Sequence, residues 1–281
     1  MNRERILYED NDIIVCHKAA GIATQTARVG QADMVSEVIN YLTRVAQGGK
    51  EPRNEYRMPG GNGQPRSRNS QCIPYVGIIH RLDQPVEGIL IFAKNKQTAA
   101  ELGRQITENR MEKYYCAVVC GHEFERSGEL TDYLLKDGRT NTSRIVPPEV
   151  KNAKKAVLEY EISEETPLSE YVLERIASDQ IVESDESPIR IALAKIRLHT
   201  GRHHQIRVQM SHAGMSLLGD YKYADAETVR ISEQMKVKEI ALCAYRLSFK
   251  HPRTGKKMQF QIKPEGKSFQ NYTEPEPHNS I

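Results

Sequence analysis

Residues Gly77 to Lys94 read GIIHRLDQPVEGILIFAK. Two apolar runs, GII and ILIFA, enclose a polar patch holding His80, Arg81, Asp83 and Glu87. Short apolar runs bounded by turn residues are the pattern of buried strands. The stretch therefore predicts two strands joined by a polar turn. Asp83 and Glu87 lie four apart, and on a helix they would share a face, as a glycosidase-like acid pair could. Pro85 stands between them and the flanks are strand-like, so the turn is the stronger reading.

Upstream, RILYEDNDIIVCHKAAGIATQ reads as strand, turn, strand and a Gly-containing turn, with Asp10-Asn11-Asp12 as good turn chemistry. MVSEVINYLTRVA places Val35, Val38, Ile39, Leu42 and Val45 on one helical face. Residues 48–70, rich in Gly, Pro, Asn and Arg, read as a flexible basic insertion. Downstream, TAAELGRQITENRMEK suits a helix with Ala99, Leu102 and Ile106 inward, and YYCAVVCG a strand. GELTDYLLKDGRTNTSRIV reads as a hairpin with a DG turn, and AVLEYEIS as a strand. The acidic segment 164–187 reads as a loop or weak helix. IALAKIRLHTG is a strand candidate, and HHQIRVQMSHAG a helix with Ile206, Met210 and Ala213 at helical spacing. LCAYRLSFKHPRTGKKMQFQI is a hairpin turning at HPRTG, and the tail is expected to fray. Many strands and few helices, without a regular βαβ beat, predict an α+β fold with a mixed, largely antiparallel sheet.

The chain has 281 residues, 38% of them hydrophobic, enough for a real core. It has no run of 18 apolar residues and no signal-peptide apolar region at its start, so a cytoplasmic protein without a membrane span is expected. Five scattered cysteines without a CxxC pair suit a reducing compartment. Net charge is only +3, but its distribution is uneven. Residues 44–70 hold six Lys/Arg against two Glu; residues 164–186 hold eight acids and one Arg. Neither GxGxxG nor a Walker motif occurs, so dinucleotide and P-loop sites lack support.

His199, His203, His204 and His212 form no HExxH or comparable ligand spacing, and no metal is expected. In LHTGRHHQIRVQ a Gly turn leads into a helix start carrying Arg202 and Arg207. Five apart, the two arginines point differently: one can meet phosphate while the other reaches inward to a buried acid. Tyr114 and Tyr115 are adjacent on a strand and face opposite sides, so one ring can face a cleft and stack on a base. The same residues also fit plain surface arginines and structural tyrosines.

Taken together, these segments resemble the RluA-type family of RNA pseudouridine synthases. GIIHRLDQPVEGILIFAK resembles its active-site segment, EKYYCAVVCG its K-x-Y strand, and LHTGRHHQIRVQMSHAGMSLLGDYKY its TGR-x-HQIR segment with the trailing GD-x-x-Y. LCAYRLSFKHPRTGKKMQFQIKP is similar to its last motif, and ILYEDNDIIVCHKAAG to its opening strand pair. The resemblance runs from Ile6 to Pro264, in the family's order. It implies the pseudouridine synthase fold with flanking helices and a central RNA-binding cleft, as one catalytic domain over residues 1–281 without an S4-like module. It implies isomerisation of uridines in structured RNA, ribosomal or transfer, by a monomer that needs no cofactor.

The resemblance also implies roles. Asp83 is the catalytic aspartate. Tyr115 stacks on the target base and assists loss of its C5 proton. Arg207 pairs with the aspartate. His80, Arg81, Arg202, His204 and Ile262 are RNA-binding or pocket residues. The segment departs from the family's usual HRLDR-x-T-S-G at Gln84 and Glu87, HKAAG lacks the usual Pro, and His203 and Cys243 replace frequent Thr and His. Two alternatives follow from those departures: an RNA-binding protein of this fold without turnover, and a hydrolase using Asp83 and Glu87 as an acid pair.

Overall fold

The computed structural model describes residues 3–26, 30–48, 73–167 and 189–270. The expected basic insertion beyond Gly48, the acidic segment beyond Pro167 and the tail beyond Gln270 lie outside the described residues.

The strands are β1 (Ile6–Glu9), β2 (Ile13–Lys18), β3 (Gly77–Ile78), β4 (Glu87–Ala93), β5 (Glu112–Gly121), β6 (Ser127–Asp137), β7 (Thr142–Ile145), β8 (Lys154–Pro167), β9 (Arg190–Leu198), β10 (Ser216–Leu217), β11 (Leu242–Lys250) and β12 (Lys257–Gln261). The α-helices among the described residues are α1 (Met34–Ala46), α2 (Lys96–Thr107), α3 (Gln205–His212) and α4 (Ala226–Gln234). All twelve described strands join one sheet, in the order β1-β2-β4-β11-β5-β9-β8-β6-β7, with β3 beside β4, β10 beside β5 and β12 beside β11. β4 and β11 run parallel, whereas neighbours such as β2–β4, β5–β9 and β8–β9 are antiparallel. The α+β architecture with a mixed, largely antiparallel sheet is the one expected.

The central strands are covered on both faces. In β2, Ile13 and Val15 enter one apolar layer while Ile14 and Cys16 enter the other; β4 and β5 divide in the same way. Such strands read as continuous apolar runs, because both sides of the pleat are buried. The first layer is completed by Leu102 of α2 and Ile231 of α4, the second by Val38 and Leu42 of α1 and Ile206 and Met210 of α3. Asp33 and Asn95 cap α1 and α2, accepting from the Ser36 and Thr98 N–H groups. Each such cap contributes about 0.5–2 kcal/mol.

Gly88 has a structural task. Its φ is +145°, and a Cβ there would lie 2.5 Å from the Ala244 Cβ. Only glycine lets β4 approach the parallel strand β11 so closely.

Three local expectations need correction. α1 buries Met34, Val38 and Leu42, but Val45 is 53% exposed, because a helix buries only the stripe that meets a neighbour. Residues 164–167 continue β8 rather than forming loop or helix, since β9 offers ladder partners at Leu193 and Ala192. α3 begins at Gln205, not His203: His204 sits at φ +54°, outside helical geometry. Ala213 follows the helix and is exposed, while Gln205 to Met210 are all buried.

Candidate active site

The opening stretch is a hairpin. β3 pairs with β4 through Gly77–Ala93 and Ile78–Phe92, and residues 79–86 form the loop between them. The loop is fastened at three points. Thr24 Oγ1 donates to the Leu82 carbonyl at 2.9 Å and accepts from the Leu82 N–H at 3.1 Å. The Gly21 N–H and the Lys18 ammonium both donate to the Gln84 carbonyl, at 2.9 and 3.1 Å. The Gln84 amide donates back to the Gly21 carbonyl at 3.0 Å. Leu82 and Val86 sink into the second apolar layer on either side. With both neighbours anchored, Asp83 is held toward a cavity of about 970 Å³.

That cavity is lined by Ile79, His80, Arg81, Leu82, Asp83, Val86, Lys113, Tyr115, Lys136, Arg202, His204 and Arg207, among others. Asp83, Tyr115, Arg207, His80, Arg81, Arg202 and His204 therefore meet in one place, from three separate segments. Ile262 does not. It belongs to the first apolar layer with Tyr245 and Phe260, on the opposite face of the sheet from Tyr115. Tyr114 and Tyr115 part as strand geometry requires: Tyr114 packs beneath the Arg246 guanidinium, 3.8 Å from the ring centroid, while Tyr115 turns to the cavity.

Arg207 is built into the wall. It is buried, and its fork closes on Asp220, Nε to Oδ2 at 2.7 Å and Nη2 to Oδ1 at 2.6 Å. This is a bidentate, charge-assisted pair. The third nitrogen, Nη1, faces Asp83 Oδ2 at 3.8 Å, and His204 Nε2 faces the same oxygen at 3.7 Å. Among the described residues the Asp83 side chain accepts no hydrogen bond, and it remains 31% exposed. Burial raises its pKa above the ordinary value; Arg207 and Lys18 oppose that rise without cancelling it.

The surrounding groups are tuned by burial as well. The Lys18 side chain is fully buried and donates to the Ala19, Ile22 and Gln84 carbonyls. Desolvation lowers its pKa to about 8, with Asp83 and Glu87 pulling the other way. His80 has two buried ring nitrogens without hydrogen-bond partners, and desolvation together with Lys113 pushes it down to about 3. Burial, then Asp83, raises the Tyr115 phenol, so the neutral ring is favoured. Arg202 is exposed, its Nε donating to the Lys155 carbonyl at 2.8 Å.

Glu87 faces elsewhere, which removes the acid-pair reading. It is buried and accepts from His17 Nε2 at 2.9 Å, from the Glu265 N–H at 2.9 Å and from the Gly266 N–H at 3.3 Å. Arg5 donates to the other ring nitrogen of His17 at 3.0 Å and pairs with Glu265 at 2.9 Å. Glu87 thus joins β2 and β4 to the segment after β12. Two trios bring metal-ligating atoms within 4.8 Å of one another, His17–Glu87–Glu265 and Asp10–Asp12–His251. Both are tied by protein contacts, the second through His251 Nε2 with Asp10 at 2.8 Å and Arg253 with Asp12 at 2.5 Å. Neither trio lines the cavity.

Sequence reasoning gave no role to Lys18, Lys113, Asp220 or Tyr223, although each sits inside a segment singled out above. Their signal was position within HKAAG, EKYY and GDYKY, not residue type alone.

The family model described as RNA pseudouridylate synthase matches residues 12–212. A ribosomal large subunit pseudouridine synthase C of Buchnera aphidicola is 27% identical over 268 residues, covering 95% of this chain and 69% of that protein. A tRNA pseudouridine synthase C of Haemophilus ducreyi is 28% identical over 256 residues, covering 90% of this chain and 88% of that protein. Among solved structures, human RNA pseudouridylate synthase domain containing 1 superposes with a TM-score of 0.59 at 21% identity, over 92% of this chain and 82% of that one.

Proposed function

The chain belongs to the RNA pseudouridylate synthase family, and from that premise we propose that it isomerises uridines in structured RNA with Asp83 as its catalytic aspartate. The observation that carries this is the setting of Asp83. It is a carboxylate without a hydrogen bond among the described residues, held on a fastened loop 3.8 Å from a fixed guanidinium, both at the wall of a cavity of about 970 Å³.

The reaction breaks the N1–C1′ bond, turns the uracil, and joins C5 to C1′. C5 gives up a proton and N1 gains one, so product and substrate are isomers and no electrons change hands. Asp83 supplies lone pairs unspent on protein partners, as a nucleophile or base must. Arg207 favours the ionised carboxylate against burial, and Asp220 keeps Arg207 aimed at it. Tyr115 offers a neutral ring for the detached base to stack on; burial disfavours the phenolate that proton removal would need.

The target base must leave its stack to enter the cavity. Arg81, Lys113, Lys136 and Arg202 at the walls suit the phosphates on either side. The relatives' names support ribosomal or transfer RNA as the substrate class. Membership of one sheet by all described strands supports a single catalytic domain. No helix among the described residues is long and apolar enough to cross a membrane.

The test is expression in cells lacking their other synthases of this type, with pseudouridine mapped across all RNA. Restored sites that vanish with Asp83→Asn are expected. No restored site counts against the activity, and sites equally restored by Asp83→Asn remove Asp83 from its role.

A further inference from the structure

A short chain of hydrogen bonds ends at His204, whose ring faces Asp83. The Ser143 N–H donates to the Tyr223 hydroxyl at 2.9 Å. The same hydroxyl lies 2.6 Å from His204 Nδ1. These are its two hydrogen-bond partners among the described residues. The Ser143 N–H takes a lone pair of the hydroxyl oxygen, and among the described residues His204 Nδ1 is the one acceptor within reach of the hydroxyl's own proton. With that bond made, His204 Nδ1 accepts and the proton of the neutral ring sits on Nε2. That nitrogen faces Asp83 Oδ2 at 3.7 Å.

The rest of the surroundings keeps the ring in that state. His204 stacks on His203, with centroids 3.7 Å apart, and meets Tyr223 edge-on. His203 is itself tied to Ser143 Oγ and Asn141 Oδ1. The left-handed backbone of His204, φ +54°, turns the ring out of the helical path and over the cavity. Desolvation, followed by Arg207, His203, Lys222 and Lys136, holds the imidazole down to about 3 and therefore neutral. Tyr223 also lies under the Arg207 guanidinium at 4.9 Å, so one ring braces both groups that face Asp83.

We propose that His204 is a positioning residue: a neutral imidazole whose Nε2–H, set by Tyr223, orients the outer oxygen of Asp83 when substrate closes the 3.7 Å gap. This is a different task from contacting RNA. Arg207 approaches the same oxygen from its own side, and the two donors fix the direction of the remaining lone pairs. The inference rests on the synthase reading above, with Asp83 as the working carboxylate.

Two measurements test it. Long-range nitrogen–proton NMR on histidine-labelled protein at neutral pH is expected to show His204 with the proton on Nε2, and Tyr223→Phe to lose that preference. A proton on Nδ1 in the unmodified protein overturns the proposal. The second measurement is single-turnover tritium release from [5-³H]uridine-labelled total RNA of cells lacking this chain, with RNA binding measured beside it. His204→Ala is expected to slow release by about tenfold to a hundredfold, the span of one hydrogen bond to a charged group, while binding stays within about twofold. His204→Gln, whose amide nitrogen falls near Nε2, should recover most of the rate; His204→Asn, whose amide falls near Nδ1, should not. An unchanged rate in His204→Ala, or a loss confined to binding, overturns the proposal. Wild-type protein and Asp83→Asn run in parallel: release by the first and not the second upholds the synthase reading whatever His204 does. The NMR result stands even if neither releases tritium.

Discussion

Asp83 and Glu87 stand four residues apart at the two ends of one turn, and their surroundings are opposite. Glu87 is saturated, with a histidine and two backbone N–H groups on its oxygens. Asp83 takes no hydrogen bond among the described residues, and its donors stop at 3.7 and 3.8 Å. A satisfied buried acid holds a fold together; a half-buried acid left short of partners costs stability and keeps its reactivity. One turn of chain here carries both kinds, with the Gln84 fastenings between them.

Exchanging each acid for its amide is the sharpest way to break that contrast. Asp83→Asn should lower tritium release by about 10³-fold or more. It should also raise Tm. Burial lifts the Asp83 pKa, so the folded chain holds the proton more tightly than the unfolded one. The ionised form is thus a burden on folding above the unfolded pKa, relieved as pH falls through the folded pKa. Asparagine removes it at neutral pH, at roughly 2–4 °C per kcal/mol for a chain of this size. A lowered Tm in Asp83→Asn would sink the claim that the site acid is destabilising.

Arg207→Lys comes next in size. Lysine cannot reproduce the fork on Asp220, so about 10- to 100-fold of activity and about 1–3 kcal/mol of stability should be lost. Denaturant melts and single-turnover rates read the two separately, and retention of both would show that the fork is dispensable. Glu87→Gln should act on stability alone. An amide nitrogen against the Gly266 N–H or His17 costs about 1–3 kcal/mol, while the folded protein turns over within about threefold of wild type. A large rate loss with an unchanged melt would place Glu87 in the chemistry after all.

The smallest effect is in the pH profile. With its pKa raised by burial, Asp83 should lose activity on the acid side at a pH above the ordinary aspartate value of about 4. An acid limb at or below that value would mean that Arg207 and Lys18 outweigh desolvation.

Much of the site was legible before the structure. The resemblance of HRLD, EKYY and HQIR to the family's motifs brought Asp83, Tyr115 and Arg207 to one site, and all three line the cavity. The apolar runs marked central strands, and strand alternation alone separated Tyr114 from Tyr115. Ile262 was misplaced, since the residues after β12 follow no period that fixes their face. The acidic residues 164–167 were misread because their strand state comes from the β9 ladder, not from their own preference. Glu87 looked like a second site acid because linear spacing cannot distinguish a turn's two sides.

From sequence alone came the α+β class and the strand–turn–strand around Asp83, which rest on local periodicity and turn chemistry acting over a few residues. The residues expected to gather there came from the resemblance of four motifs, in order, to the RluA-type family. The division of labour between the two acids required the fold. Asp220 lies 13 residues from Arg207, and Glu265 lies 178 from Glu87. Hydrogen bonds at such separations depend on which strands pair and which face of the sheet each residue meets, and that is settled by packing across the whole sheet.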